Sequence, residues 1–257
     1  MRSRYRVSLG GVQMDSLDDN LLILDVGYTQ PDRDIKKQST ANLNGYDVTD
    51  TFVGQQRVTV TFELHIYNTA KRNEACQKIN QWADGTKTLK INDRANQYLS
   101  PVICEQYADI QSVRNWTDPL TIVFVSTSVP FWQSSDAKTV TLTGKSAKGT
   151  LTLDGNTGSS LVSVTVTASA TVTSLQLVVG STTIKLTGIS VATGKTVVVD
   201  YLKYRYLRIR ADGKSVMAKL DPSSSDLLMA ECGKSNSVSI TANNKVTAVF
   251  TARGCWI

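Results

Sequence analysis

The chain has 257 residues, of which 41% are hydrophobic, 19% charged and 7% aromatic, and this composition excludes a disordered or collagen-like protein. At about 150 residues per domain, the length predicts two domains. The net charge of +6 would suit a nucleic-acid or membrane-surface partner, but it arises in one half: residues 1–133 carry 14 basic and 15 acidic residues, and residues 134–257 carry 14 and 7. No stretch approaches the ~18 apolar residues of a membrane-spanning helix, so we expect a protein that stays in a cytoplasm or is released by lysis.

The segment between Tyr28 and Arg57 is too polar for a core and long for a simple connection. Within it, Asn44-Gly45 is a good hairpin-turn signal. Two interpretations stay open: a β-arm over residues 29–56 that projects from a sheet, or a mobile loop.

Residues 57–67, RVTVTFELHIY, alternate apolar and polar side chains, and this period of two predicts a strand with one buried face. The only histidine, His65, falls on the polar face. We therefore expect a solvated or cross-strand position for His65 and not a catalytic base or a metal ligand.

The period changes after residue 67, and a helix is predicted over residues 69–84. Asn68 or Thr69 can cap its first turn, and the Asp-Gly pair at 84–85 ends it. One face is apolar and should lie across a sheet; it carries Ala75, Ile79 and Trp82. The other face should be solvated or, in an assembly, should meet a neighbour; it carries Lys71, Arg72, Glu74, Gln77, Lys78 and Gln81.

Further strands are predicted at residues 86–91, 98–106 and 118–133. In the last of these, apolar residues on both faces predict a strand covered on both sides; they are Leu120, Ile122 and Phe124 on one face and Val123, Val125 and Val129 on the other. The composition changes beyond residues 133–136, QSSD, which we expect to be a linker. The predicted domains are therefore 1–133 and 134–257.

The second half is rich in Val, Thr, Ser, Ile and Tyr and is typical of a run of short strands. Turns are predicted between them at Asp154-Gly155, Asp212-Gly213 and Asn243-Asn244. The pattern favours an antiparallel β-sandwich. Together the two halves predict a mainly β fold with one helix, in which an α+β domain precedes an all-β domain.

The sequence contains none of the motifs that would indicate an enzyme, such as a GxSxG elbow, a phosphate-binding loop or an HExxH helix. No catalytic, cofactor-binding or metal site is expected. The four cysteines are far apart, without zinc-ligand spacing, and should be buried thiols in a reducing compartment; they are Cys76, Cys104, Cys232 and Cys255. A disulfide between Cys232 and Cys255 is the alternative.

Residues 204–210, YRYLRIR, form a candidate contact surface. Strand alternation places Tyr204, Tyr206, Arg208 and Arg210 on one face. Stacked tyrosine and arginine side chains can bind a sugar, an acidic polymer or a protein edge. The alternative is a solvated outer face with cross-strand cation–π contacts.

The order of segments resembles the distal tail protein family of long-tailed (siphovirus) phages, which are hub components of the baseplate or tail tip. The resemblance covers nearly the whole chain. In the first half it rests on LILDVGY, the polar arm, RVTVTFELHIY, the helix ending QWADG, and LTIVFVSTSVPFWQ. In the second half it rests on TGKTVVVDY, RADGKSVMAKL and SNSVSITANNKVTAVFTARGCWI, which resemble the family's C-terminal galectin-like or carbohydrate-module-like β-sandwich.

The resemblance implies a virion protein, assembled in the host bacterial cytoplasm, whose N-terminal β-sandwich domains form a hexameric ring. That ring would join the tail tube protein to a tail-associated fibre or lysin protein, and the C-terminal domains would offer attachment points for other baseplate or receptor-binding proteins. The polar arm would reach the next subunit, with Asp34, Asn44, Tyr46 and Phe52 as candidate contacts. DNA would only slide through the lumen, which the slightly acidic first domain suits because fixed cations there would bind phosphates.

Three other functions remain as alternatives. The first is a host-surface glycan-binding module, in which the C-terminal domain provides adhesion. The second is a tail tube subunit, and an enzyme is the least favoured.

Overall fold

A computed structural model describes residues 3–38, 47–109, 118–202 and 206–257, with the backbone alone described at 34, 37–38 and 47–52. The chain divides into two compact units, Met1–Trp132 with Ile257, and Gln133–Trp256. The first unit is mainly β with one helix and the second is β throughout its regular elements apart from a short 3₁₀ turn. The expected mainly β fold with one helix is therefore confirmed among the described residues.

The first unit is built on an antiparallel sheet in the order β3-β6-β9-β8-β7-β1-β2. A separate two-stranded sheet pairs β4 with β5. The elements are β1 Val7–Leu9, β2 Val12–Gln13, β3 Leu21–Thr29, β4 Arg33–Gln38, β5 Asp47–Val53, β6 Arg57–Leu64, α1 Thr69–Ala83, β7 Lys87–Ile91, β8 Gln97–Gln106 and β9 Leu120–Ser126.

Strand β6 shows the predicted alternation, since every second residue from Val58 to Leu64 is buried. The strand ends at Leu64, before the predicted limit at residue 67. His65 lies just beyond it, where its Nε2 is 2.8 Å from Oε2 of Glu63. The expected polar position of His65 is confirmed.

Helix α1 lies across the sheet, as its apolar face predicts. Asn68 caps the helix by accepting a hydrogen bond from the N–H of Lys71 at 3.1 Å. Trp82 packs edge-on against Phe124 of β9, with ring centroids 6.0 Å apart, and its Nε1 donates to the carbonyl of Val12 at 3.1 Å. The helix ends at Ala83, one residue before the predicted limit.

The prediction that Arg72 lies on the solvated face of α1 is wrong. Its side chain is buried, with 7% exposed. Arg72 is one turn before Cys76 on the helix, and Cys76 is also buried, so the buried stripe is wider than the three apolar residues suggested.

Strand β9 departs from the prediction in its length. It ends at Ser126, so Val129 lies outside the strand. Leu120, Ile122 and Phe124 form the buried face, while on the other face Val125 is buried and Val123 only half-buried. The second face is therefore covered only in part.

The expected linker at residues 133–136 is also wrong. These residues begin a long strand, and Gln133 and Ser134 are 7% and 8% exposed. The guanidinium of Arg253 donates hydrogen bonds to the carbonyls of Ser134 and Ser135. These polar residues can be buried because hydrogen bonds from Arg253 satisfy backbone carbonyls of the segment.

The second unit contains strands in the order β17-β16-β15-β12-β19-β10, with β14 and β13 joined to the other half of β19. Strands β11 and β18 pair separately. The strands are β10 Trp132–Thr152, β11 Ser159–Leu161, β12 Ser163–Ala168, β13 Val172–Val179, β14 Thr182–Val191, β15 Thr196–Leu202, β16 Tyr206–Ala211, β17 Lys214–Ser215, β18 Met229–Glu231 and β19 Ser235–Trp256.

Two long strands replace four of the shorter predicted strands. In β10, a Cβ placed on Gly149 would lie 2.8 Å from Cδ2 of Leu142, only seven residues earlier, so the strand must fold back between them. In β19, residues 238–242 pair with β13 and residues 246–251 pair with β12. The chain of β10 therefore reverses direction within one assigned strand, whereas β19 runs through as one strand that pairs with β13 and then with β12.

The predicted turn at Asn243-Asn244 is wrong, because strand β19 continues through both residues. Oδ1 of Asn243 instead accepts from the N–H groups of Thr173 and Ser174, and Nδ2 of Asn244 donates to the carbonyl of Thr171 at 2.7 Å. The asparagines thus satisfy the backbone of the neighbouring β12–β13 loop.

The predicted turn at Asp212-Gly213 is confirmed. Both residues have positive φ, +47° and +79°, and they connect β16 to β17 with Ala211 opposite Lys214. This is the geometry of a two-residue primed hairpin turn. Beyond β17, residues Met217–Lys219 form a 3₁₀ turn.

Candidate functional site

The most distinctive feature of the first unit is a hairpin formed by β4 and β5, here called the arm hairpin. Its backbone register runs from Arg33 opposite Val53 to Gln38 opposite Asp47. The hairpin is a separate two-stranded sheet within the described residues, and its nearest chain neighbours are β3 and β6 of the main sheet. Ile35 and Val53 of this hairpin expose 43% and 37% of their surface.

The base of the arm hairpin is firmly held. Gln56 is 2% exposed, and its Nε2 donates to the carbonyl of Thr29 at 2.6 Å. Its backbone exchanges two hydrogen bonds of 2.9 Å with Ser126 of β9, one through the serine hydroxyl and one through the serine N–H. Gly54 N–H donates to the carbonyl of Asp32 at 2.7 Å and closes the base. These hydrogen bonds attach the base of the arm hairpin to the main sheet, so the sheet sets the direction in which the exposed ribbon projects.

Two of the four candidate arm residues lie in the described part of the chain. Asp34 and Phe52 are cross-strand partners in the backbone register of the arm hairpin. Asn44 and Tyr46 lie outside the described residues. Their contact with a second subunit stays a prediction.

An aromatic and ionic cluster, which the sequence did not indicate, lies beside the arm base. The guanidinium of Arg94 sits 4.9 Å from the ring centroid of Tyr28 and 4.7 Å from that of Trp132. The two rings meet edge to face at 5.8 Å, and Trp132 is fully buried. The hydroxyl of Tyr28 donates to the carboxylate of Asp93 at 2.6 Å. This cluster fixes the end of β3, the strand that leads into the arm hairpin.

The environment of Tyr28 keeps its phenol neutral. Burial is the largest cause of the raised pKa, and the hydrogen bond to Asp93 adds to it because a phenolate could not donate that bond. The cluster therefore acts as a permanent structural contact across the physiological pH range.

The candidate contact face of the second unit is centred on Asp200 of β15. Asp200 is the cross-strand partner of Arg208, and its carboxylate accepts from Nε and Nη2 of Arg208 at 2.7 and 2.8 Å. Arg210 donates to the same carboxylate at 2.8 Å. The hydrogen bond from Arg208 is the largest cause of the lowered pKa of Asp200. Sequence reasoning missed Asp200, although the acidic residue in VVVDYL was visible one strand away.

Among the described residues of this face, Tyr206 is an exposed aromatic side chain. Tyr206 is 64% exposed and lies opposite Leu202, which is 50% exposed. Tyr204 lies outside the described residues. Arg208 and Arg210 are thus brought together, but by a shared carboxylate that offsets part of their charge, and the binding of a sugar, polymer or protein here stays a prediction.

Metal and membrane sites were also sought among the described ranges. No group of three or more His, Cys, Asp and Glu side chains there is placed to hold a metal ion. No helix in the same ranges is both long and apolar enough to span a membrane.

An antiparallel β unit with a crossing helix and an arm hairpin is followed by a second β unit, and the fold of the described residues is similar to that of two solved phage proteins. The SPP1 Dit protein (gp 19.1), described as a paradigm of the hub adsorption apparatus in phages that infect Gram-positive bacteria, has this fold. It superposes with a TM-score of 0.74 at 14% identity, over 97% of this chain and 98% of that chain. A chain of the phage P2 baseplate in its activated conformation with Ca matches with a TM-score of 0.51 at 8% identity, over 97% of both chains.

These likenesses support the mainly β fold with one helix, while the galectin-like form of the second unit stays a prediction. No protein-family model matches the sequence, and no curated protein matches it. At 14% identity the likeness shows the fold over the whole length of the chain.

Proposed function

We propose that this protein is a structural hub of a siphophage tail tip that works by assembling into a hexameric ring. The ring joins the tail tube to a tail-associated fibre or lysin protein, and the second units serve as attachment points for other baseplate or receptor-binding proteins. The protein acts in the virion and performs no catalysis. The observation that carries the proposal is the match to the SPP1 hub protein over 97% of this chain and 98% of that one.

The arm hairpin supplies a means of assembly. A closed ring needs a heterologous contact, in which one surface of a subunit meets a different surface of the next. Strand β3 pairs with β6 on one side, and β2 pairs with β1 on one side, so within the described residues both ends of the main sheet are edges. An arm that adds to a neighbour's edge would form main-chain hydrogen bonds and bury Ile35.

The charge distribution suits a ring around DNA. The first 133 residues carry 14 basic and 15 acidic residues, so the ring would have little excess positive charge to hold phosphates. DNA would then pass through the lumen without a specific site. Replacing lumen-facing Asp residues with Lys should slow DNA ejection, and unchanged ejection would contradict this part of the proposal.

The test compares the full chain with a variant in which residues 33–53 are replaced by a short Gly-Ser turn. We expect the wild type to form rings of six copies, seen by native mass spectrometry and negative-stain imaging. The variant should stay monomeric and keep the far-UV circular dichroism spectrum of a folded β protein, less only the contribution of the deleted hairpin, because the arm hairpin pairs only with itself in the described residues. Tyr67→Ala, a change at a side chain with 78% exposure away from the arm, is the control and should still form rings.

Two outcomes would contradict the proposal in different ways. A wild-type protein that stays monomeric in the presence of its tail partners would refute the hub function. Rings formed by the variant without its arm would leave the hub function intact and refute the role of the arm.

Adhesion to a host glycan is a second candidate, favoured by the exposure of Tyr206 beside the Asp200–Arg208 pair. An exposed aromatic ring next to fixed polar groups is a common way to bind a sugar. Tyr206→Ala should then abolish binding of the full chain to host cell-wall polysaccharide, measured by a pull-down assay. Equal binding by the variant would exclude this face, and Tyr67→Ala again serves as the exposed-tyrosine control.

A further inference from the structure

Two cysteines that are distant in sequence meet at one point of the second unit. Cys232 lies in the turn between β18 and β19, and Cys255 is the penultimate residue of β19. Both are buried, with 7% and 2% of their surface exposed, and both are thiols in this structure. Their proximity is a result of the fold, since 22 residues separate them along the chain.

The chain segment after β10 holds the two cysteines together. Gly155 forms a parallel bridge with Cys255, and Asn156 N–H donates to the Cys255 carbonyl at 3.0 Å. On the other side, Cys232 N–H donates to the carbonyl of Gly158 at 3.1 Å. A Cβ on Gly155 would lie 2.2 Å from the Cys255 carbonyl oxygen and 3.1 Å from Cβ of Cys232, so only glycine permits this approach.

The two thiols point to the same place. Sγ of Cys232 is 3.8 Å from the carbonyl oxygen of Arg253, and Sγ of Cys255 is 3.9 Å from the same oxygen. The side chains also hydrogen-bond each other, which lowers the pKa of Cys232 and raises that of Cys255. By contrast, burial is the main cause that raises the pKa of both Cys76 and Cys104 to about 11. Within this pair, the contact with Cys255 favours the thiolate on Cys232.

We propose that Cys232 and Cys255 are a redox-sensitive pair that closes to a disulfide when the protein meets a peroxide outside a reducing compartment. The buried site suits a small neutral oxidant. The thiol pair would persist in a reducing cytoplasm, and the closed form would accumulate after release.

The closing reaction balances with one peroxide. The Cys232 thiolate attacks hydrogen peroxide, so an S–O bond forms, the O–O bond breaks, and the departing hydroxide takes the proton that the thiol gave up. The Cys255 sulfur then attacks the Cys232 sulfur of this sulfenic acid, so the S–S bond forms and the S–O bond breaks. The second hydroxide takes the proton of Cys255, and the products are one disulfide and two water molecules.

The cross-link would tie the turn after β18 to the last strand of the unit. Closing this loop restricts the unfolded chain and stabilises the folded unit. It would also hold the end of β19 on the segment that carries Gly155. This inference is independent of ring formation, because every residue it uses lies in the second unit.

The test uses the full chain, purified with a reductant and then treated with hydrogen peroxide. We expect the intact mass to fall by two hydrogen atoms, and peptide mapping to find the Cys232 peptide joined to the Cys255 peptide. The Tm of the oxidised protein should exceed that of the reduced protein by ~5 °C or more. A reductant should reverse both changes.

Two matched variants complete the experiment. Cys104→Ser should form the same cross-link, because Cys104 is only half-buried and lies in the first unit. Cys255→Ser should form none and should show no rise in Tm. If the wild type keeps all four thiols alkylatable under denaturing conditions after peroxide treatment, or gains oxygen on Cys232 without a cross-link, the proposal is wrong.

Discussion

The cluster around Trp132 provides a sharp test of how the first unit is held together. Trp132→Ala removes a fully buried indole that meets the ring of Tyr28 edge-on and carries the guanidinium of Arg94 above it. Truncating a buried tryptophan costs about 3–5 kcal/mol, and the loss of the cation–π contact adds about 1 kcal/mol. We therefore expect a loss of about 4–6 kcal/mol in the free energy of unfolding.

Such a loss is a large part of a total stability of about 5–15 kcal/mol. Urea unfolding followed by circular dichroism would measure it as a fall of about 2–3 M in the midpoint, for a slope of about 2 kcal/mol per M. Hydrogen exchange should also quicken at the end of β3, where Tyr28 lies.

A milder change at the same site separates packing from hydrogen bonding. Nε1 of Trp132 is buried without an acceptor among the described residues, so Trp132→Phe removes an unsatisfied donor together with part of the ring. We expect this variant to lose only about 1–2 kcal/mol. Tyr67→Ala, at a side chain that is 78% exposed, should stay within about 0.5 kcal/mol of the wild type. If Trp132→Ala costs no more than Tyr67→Ala, the cluster does not stabilise this unit.

Two further predictions concern the second unit. The hydroxyl of Tyr201 accepts from the N–H of Leu228 at 2.8 Å, so Tyr201→Phe should leave that donor unsatisfied and cost about 1–3 kcal/mol in urea unfolding at pH 7. Burial is the main cause that raises the pKa of Tyr201 to about 12. The stability that the tyrosine contributes is therefore complete below about pH 10 and is lost as the pH rises through 12. The difference in Tm between wild type and variant should narrow in that window, and a constant difference would contradict the assignment. Gly155→Ala should lower the Tm by more than 5 °C, because φ is +129° and the added Cβ would meet the Cys255 carbonyl. The control Gly194→Ala, at a positive φ but with no atom within 4 Å of the added Cβ, should lower the Tm by less. Equal losses of Tm would show that backbone strain alone decides the effect.

Local patterns predicted the elements whose formation depends on neighbours in sequence. The alternation of apolar residues in β6 predicted its buried face. Asn68 is the helix cap because its side chain accepts a hydrogen bond from the N–H three residues later. Asp212-Gly213 adopts the primed turn that these residue types favour. In each case the deciding contact lies within a few residues. The fold resemblance likewise depended on the order of such segments, and it was confirmed by superposition over 97% of the chain.

Predictions failed where a distant segment supplied the deciding contact. Residues 133–136 look like a polar linker, but the side chain of Arg253 satisfies their carbonyls from the other end of the chain. Asn243-Asn244 has the composition of a turn, yet both side chains bond the loop near Thr171 and the strand continues. Polar residues were misassigned because their partners cannot be read from local composition.

By itself, the sequence determined the mainly β class, the helix that follows Asn68, the near-neutral first half and a segment order that resembles the distal tail protein family. These properties depend on composition and on short-range periodicity, which a single chain displays directly. Only the tertiary structure decided that Asp200 binds two arginines, that Arg94 lies against the rings of both Tyr28 and Trp132, and that Cys232 meets Cys255. Each of these contacts joins residues through strand register or chain reversal, and those depend on the packing of the whole unit.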